Sequence, residues 1–221
     1  MDFALKTALS LDLPARLDPG VERGLASRFG HCLAGIDEAG RGPWAGPVAC
    51  AAVILDYDDL PQGLGDSKTL SAATRERLYE EILGRAHVGV AFAAPATIDR
   101  LNIRAATLAA MSKAAAALDM APAACLIDGR DVPPGLPCPG QSAIKGDGRL
   151  LCIAAASIVA KVTRDRLMAR MGRVWPAYGF AGHKGYGTAA HATGLSEYGP
   201  CPLHRRSFRP VAAVSKRDGS R

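Results

Sequence analysis

Two short apolar runs, Cys32 to Ile36 and Val48 to Leu55, stand on either side of a segment dense in glycine and proline. Both have strand length, and their Ile, Val and Leu content suits a buried, pleated surface. A chain that starts its core this way needs a sheet with covered faces, and the later segments supply helices to cover it. Ser71 is placed to cap a helix through about Leu83, with Leu78, Ile82 and Leu83 as its apolar stripe. His87 to Ala93 reads as a third strand. After Pro95, Thr97 can cap a longer helix whose Leu101, Ala105, Leu108, Met111, Ala115 and Leu118 follow helical spacing. Ala123 to Ile127 predicts a short strand, Ser142 to Lys145 another extended piece, and Arg149 to Met171 an alanine-rich helix packed on the sheet. Beyond it, Gly179, Gly182, Gly185 and Gly187 mark loop and short helix. Residues 1–30, with Pro14, Pro19 and Gly20 and no clear period, read as a variable extension without a motif, and residues 31–221 as a single domain. Periodicity predicts a mixed α/β sheet and does not choose among the folds of that class.

With 221 residues, 48% of them hydrophobic, the chain can bury one good core. Its apolar runs fall far short of the roughly 20 residues of a membrane span. Its first 30 residues lack the basic, apolar, small-residue order of a signal peptide, so the expected location is the cytoplasm. The six cysteines form no C-x-x-C pair and have no histidine at zinc-ligand spacing. They read as reduced core residues, and the methionines as core residues too. The net charge of +6 is unevenly divided: residues 1–140 hold 13 Lys and Arg against 17 Asp and Glu, and residues 141–221 hold 14 against 4. A concentrated basic surface gains affinity for nucleic acid by releasing its counterions. A solvated basic face that only aids solubility would leave the same imbalance.

The densest constellation is Gly35-Ile36-Asp37-Glu38-Ala39-Gly40-Arg41-Gly42-Pro43-Trp44-Ala45-Gly46-Pro47, adjacent carboxylates leaving a strand into a glycine-paced loop. Side chains alternate along a strand, so Asp37 and Glu38 share a site only if the strand is ending and twisting there. Such a pair suits Mg²⁺ or Mn²⁺ better than zinc. A solvated pair at a turn is the plain alternative. The glycines superficially resemble a dinucleotide fingerprint, but that motif needs a helix opening inside the loop, and Pro43 and Pro47 bracket a turn into a strand. They can let backbone N–H groups approach a sugar or phosphate, or serve as tight turns only. Asp128 closes the run Cys125-Leu126-Ile127, and Asp147 precedes the long helix. Acids at the ends of core elements suggest a third and fourth carboxylate converging on Asp37 and Glu38. Four acids in one cleft repel unless cations neutralise them, as in a two-metal phosphodiester hydrolase.

Together with that segment, Asp66-Ser67-Lys68, Leu126-Ile127-Asp128-Gly129, Lys145-Gly146-Asp147, the run from Ala155 to Asp165, and His183-Lys184-Gly185-Tyr186-Gly187 resemble the signature segments of bacterial ribonuclease HII, in that family's order, over about Leu33 to Val211. The resemblance implies the ribonuclease H-like fold, a mixed five-stranded sheet flanked by helices with a basic C-terminal helical extension over about residues 172–221. It implies an enzyme that hydrolyses the RNA strand of RNA–DNA hybrids and cuts at ribonucleotides embedded in DNA, with Mn²⁺ or Mg²⁺. It also implies that Asp37, Glu38, Asp128 and Asp147 are catalytic metal ligands, that Gly40, Arg41 and Gly42 read the ribose 2′-hydroxyl, and that Tyr186 packs on the neighbouring deoxyribose. Trp44 departs from a commonly aliphatic position. In the residues themselves, Ser157, Lys161 and Arg164 fall at i, i+4 and i+7 on one helix face that could grip phosphates, with Lys68 and Lys184 as additions. A purely solvated stripe fits the same spacing. His183, His191 and His204 read as hydrogen-bonded surface residues. The expected state is a monomer acting on RNA–DNA hybrids and ribonucleotide-containing DNA duplexes, without a membrane partner. The rivals are another ribonuclease H-like nuclease acting on DNA, such as a Holliday-junction resolvase or an integrase, and a nucleic-acid-binding protein without catalysis.

Overall fold

The computed structural model describes residues 9–65, 67 and 69–218. Its elements, in chain order, are α1 (Pro19–Ser27), β1 (Leu33–Ala39), β2 (Val48–Ile54), α2 (Ala72–Arg85), β3 (His87–Ala93), α3 (Pro95–Leu101), α4 (Ile103–Ala116), β4 (Ala124–Asp128), β5 (Gly140–Ala143), α5 (Leu151–Val174), α6 (Phe180–His183), α7 (Ala189–Tyr198) and α8 (Arg209–Asp218). The five strands form one sheet in the order β3-β2-β1-β4-β5. β1, β2 and β3 run as an antiparallel meander, and β4 and β5 add in parallel to β1. The expected mixed five-stranded sheet with helices on both faces is what forms. Among the described residues no helix is long and apolar enough to cross a membrane.

Small residues set the spacing of the layers. An added Cβ at Gly35 of β1 would lie 2.2 Å from the Cys152 carbonyl carbon, and one at Gly89 of β3 would lie 2.2 Å from the Ala114 carbonyl oxygen. The backbone of α5 therefore lies directly on one face of the sheet and that of α4 on the other. Alternation along β1 sorts its residues between these layers: Leu33 belongs to the core cluster that holds Ile153, Ala156 and Val159 of α5, while Ala34 and Ile36 belong to the one that holds Ala106, Ala110 and Ala114 of α4.

Three local expectations change. The helix expected from Thr97 is two helices, because Asn102 adopts φ 69° and its side chain caps the second by accepting the Ala105 N–H at 3.0 Å. The segment expected to be a variable extension is folded against the core from Leu9 onward, with Leu11, Leu25 and Ala26 buried. Its Glu22 is fully buried and caps α5: one oxygen accepts the Cys152 N–H at 2.8 Å and the other accepts the Leu151 N–H. Finally, His191 and His204 are buried, not surface, residues. All six cysteines are free thiols, five of them buried and Cys32 half-buried. Met111 and Met168 belong to the core, whereas Met120 is exposed.

Candidate active site

The pairing of β1 with β4 brings the acids together. These parallel strands match Leu33 with Ala124 through Ile36 with Ile127. One residue further, the same register sets Asp37 beside Asp128 on neighbouring strands, about 4.8 Å apart along the sheet. β4 ends there, but β1 continues to Ala39, pairing Glu38 with Cys50 of β2. The strand thus does not end at Asp37, as sharing a site seemed to require. Glu38 leaves β1 on the opposite face and still reaches the cleft, because no β4 residue stands beside it. Asp37, Glu38 and Asp128 all line a cleft of about 490 Å³ at the C-terminal end of these two strands.

Asp37 is nearly inaccessible, and its carboxyl is raised well above the usual range, first by burial and then by the charges of Glu38 and Asp128. Its Oδ1 accepts the Glu38 N–H at 2.7 Å, and Ser157 adds a side-chain hydrogen bond. Asp128 Oδ1 accepts the Gly146 N–H at 2.7 Å, tying β4 to the turn before α5. Asp147, the next residue in that turn, is buried and is not among the residues lining the cleft. Among the described residues, no three His, Cys, Asp or Glu side chains already converge to enclose an ion. The donors that face the cleft are carboxylate oxygens under mutual repulsion, which fits a hard divalent cation completing its shell with water and substrate phosphate.

The glycine loop forms the next wall. Gly40 lines the cleft, and an added Cβ at Gly42 would lie 3.9 Å from Tyr186 Cε1. Tyr186 is half-exposed and also lines the cleft, so the loop and the aromatic ring stand side by side. The Arg41 guanidinium reaches back to Glu38 at 3.3 Å. Trp44 packs flat against Gly187, where any Cβ would collide with its ring at 2.2 Å, and lies 5.3 Å from the His191 ring.

All three residues of the expected phosphate-gripping stripe, Ser157, Lys161 and Arg164, line the cleft, but they differ in exposure and partners. Lys161 lines the cleft, paired with Asp165 at 3.0 Å. Ser157 is buried, 2.8 Å from the Ser67 hydroxyl, and supports Asp37. Arg164 is only 1% exposed; it donates to the carbonyls of Pro47 at 2.9 Å, Lys184 at 3.0 Å and Ala45 at 3.2 Å. It braces the loop from beneath and does not stand on an open helix face. Lys184 is half-buried, its ammonium donating to the Ala181 carbonyl. Lys68 lies outside the described residues.

Two site residues were not singled out from the sequence. Arg75 lines the cleft and donates to the carbonyls of Ser67 at 2.8 Å and Leu70 at 2.5 Å. Arg205, 0% exposed, donates to the carbonyls of Gly40, Arg41 and Gly46 at 2.5, 2.7 and 2.9 Å. Burial and the neighbouring Arg164 charge press its guanidinium down to about 9, against the opposing charges of Asp99 and Tyr186. Part of the basic surplus of the C-terminal third is therefore inside the protein.

Behind Tyr186 lies a histidine pair. His191 Nδ1 sits 2.9 Å from the Tyr186 carbonyl and must donate to it, while Cys201 N–H donates to His204 Nδ1 at 3.0 Å. The remaining proton on His204 Nε2 then donates to His191 Nε2 at 3.0 Å, so the network assigns both tautomers with the two rings neutral.

A sequence profile described as Ribonuclease HII matches residues 34–211. Ribonuclease HII of Rhizobium etli (strain CIAT 652) is 58% identical over 187 residues, 84% of this chain and 82% of the relative. Ribonuclease HII of Brucella canis is 53% identical over 210 residues, 94% of this chain and 96% of the relative. Among solved structures, ribonuclease H2 from Pyrococcus horikoshii OT3 superposes with a TM-score of 0.69 at 26% identity, covering 86% of this chain and 99% of that one. RNase HII of Archaeoglobus fulgidus, solved in complex with PCNA, gives 0.67 at 29% identity, covering 80% and 95%.

Proposed function

Because the chain belongs to the ribonuclease HII family, metal-dependent hydrolases with ribonuclease H activity on RNA–DNA hybrids, we propose that it also cuts duplex DNA 5′ of an embedded ribonucleotide. The observation that carries this reading is the placement of Asp37 beside Asp128, with Glu38, in a cleft walled by the glycine loop and Tyr186. Asp37, Glu38 and Asp128, with Asp147 added from its sequence context although it is buried and outside the cleft lining, would hold two divalent ions, Mn²⁺ or Mg²⁺, which when bound lower the pKa of an attacking water and stabilise the leaving oxygen. The water oxygen bonds to phosphorus, the bond from phosphorus to the 3′-oxygen breaks, and that oxygen takes a proton. A 5′-phosphate and a 3′-hydroxyl result.

Gly40, Arg41 and Gly42 present backbone groups to the ribose 2′-hydroxyl, the group that tells RNA from DNA at one position. Tyr186 stacks on the following sugar and favours the slimmer deoxyribose, so cleavage is preferred 5′ of a ribonucleotide that is followed by a deoxyribonucleotide. Lys161, which lines the cleft, would meet phosphates, and Lys184 and Lys68 are assigned the same role from their sequence context. The free cysteines suit a reducing cytoplasm, where the chain would act as a monomer on ribonucleotide-containing duplexes. The test is a DNA duplex with one ribonucleotide, with and without Mg²⁺ or Mn²⁺. Metal-dependent 5′-phosphate ends are expected, and cyclic phosphate products would rule out water as the nucleophile. Asp128→Asn should abolish cleavage while duplex binding survives; near-wild-type cleavage would remove Asp128 from the ligand set.

A further inference from the structure

The glycine loop is held from below by a fully buried cation. Arg205 sits on an extended segment antiparallel to the loop: its own N–H donates to the Trp44 carbonyl at 2.8 Å, and the Leu203 carbonyl accepts the Gly46 N–H at 2.8 Å. Its fork of N–H groups takes the carbonyls of Gly40, Arg41 and Gly46 together. A planar guanidinium can do this because its donors diverge at set angles, which a lysine ammonium cannot reproduce. The loop has no slack on that side. Gly40 has φ +95°, and a Cβ there would fall 1.9 Å from the Arg164 Nε.

The consequence follows from peptide geometry. Among the described residues no peptide bond is cis, and in a trans peptide the C=O and the next N–H point in opposite directions. With the carbonyls of Gly40 and Arg41 turned down onto Arg205, the N–H groups of Arg41 and Gly42 are turned the other way. Donation from a cation to a carbonyl also polarises the peptide and strengthens its N–H as a donor.

We propose that Arg205 is the positioning residue for ribose recognition: it holds two successive peptide planes so that the Arg41 and Gly42 amides face the 2′-hydroxyl of a bound ribonucleotide. The inference rests on the reading of the glycine loop as the ribose sensor, and adds what aims it. Arg205 touches no substrate; it acts through the loop backbone.

The test measures duplex affinity without divalent metal, by fluorescence anisotropy, for a DNA duplex with one ribonucleotide and the same duplex without it. Wild type should prefer the ribonucleotide duplex; absence of that preference would overturn both the loop reading and this inference. Given the preference, Arg205→Ala should lose it while binding the all-DNA duplex within about 2-fold of wild type, and should cut the ribonucleotide duplex about 10–100-fold more slowly. Arg205→Lys should resemble Arg205→Ala, because charge without the fork does not hold three carbonyls. Added guanidinium ion should restore cleavage to Arg205→Ala, and methylammonium should not. A folded Arg205→Ala that keeps the wild-type preference would sink the inference and leave the loop reading standing; equal loss of affinity for both duplexes would make Arg205 merely structural. If the variants do not fold, the wild type decides: the amide resonances of Arg41 and Gly42 should shift with the ribonucleotide duplex far more than with all-DNA, and equal shifts would refute the assignment.

Discussion

Replacing Glu22 with Gln removes one charge from a buried position and tests whether a residue outside every motif supports the helix under the active site. Glu22 Oε1 accepts the Tyr57 hydroxyl at 2.8 Å and the Cys152 N–H at 2.8 Å, and Oε2 accepts the Leu151 N–H. The residue before α5, Leu150, offers no side-chain cap of its own. In Glu22→Gln one acceptor becomes an NH₂ group facing a backbone N–H, and a buried donor left unsatisfied costs about 1–3 kcal/mol. Loss of negative charge at a helix N-terminus adds about 0.3–2 kcal/mol. Relief of the desolvated carboxylate offsets part of this, leaving a net destabilisation of about 2–3 kcal/mol. At roughly 2–4 °C per kcal/mol for a chain of this size, Tm should fall by about 4–12 °C. Urea unfolding followed by circular dichroism at pH 7 measures it. The comparator is Asp18→Ala, which removes the solvent-accessible N-cap of α1 and should cost about 1 kcal/mol. If Glu22→Gln lies within about 0.5 kcal/mol of wild type, below the range of such caps, α5 does not depend on this contact.

Tyr186→Ala should lose most cleavage of a single embedded ribonucleotide while retaining metal-dependent binding; cleavage equal to wild type would make Tyr186 a packing residue. Lys161→Ala should weaken binding to every duplex and reduce the salt dependence by about one phosphate contact's slope, and an unchanged slope would return Lys161 to a solvated role. Acid should destabilise the protein through His204, whose ring is driven to about 4, chiefly by burial and then by His191. Its folded value lies below the unfolded value of about 6.5, so this contribution is complete above pH 6.5 and is lost toward pH 4, at up to about 1.4 kcal/mol per pH unit. His204→Gln should flatten the urea midpoint between pH 6.5 and 5, and an equally steep fall in that variant would assign the acid sensitivity elsewhere.

What the sequence determined by itself is local. The runs Cys32 to Ile36, Val48 to Leu55 and His87 to Ala93 announce strands because burial on a sheet selects β-branched and small residues over a few positions. The acids, the glycine loop and Tyr186 were legible for the same reason: each is a short segment whose residue types carry their own meaning, and together they carried the family resemblance. Tertiary structure decided what depends on partners far along the chain. Nothing near Asp37 and Asp128 states that β1 and β4 pair in the register that sets them side by side. Glu22 looks like any acid in the first turn of a short helix until α5, some 130 residues later, brings two N–H groups to it. Arg205 and Arg206 are adjacent and identical in type, yet the first is buried under the glycine loop and the second is exposed. A guanidinium is buried only where several carbonyls meet it together, and those carbonyls belong to Gly40, Arg41 and Gly46, which only the folded chain brings to it.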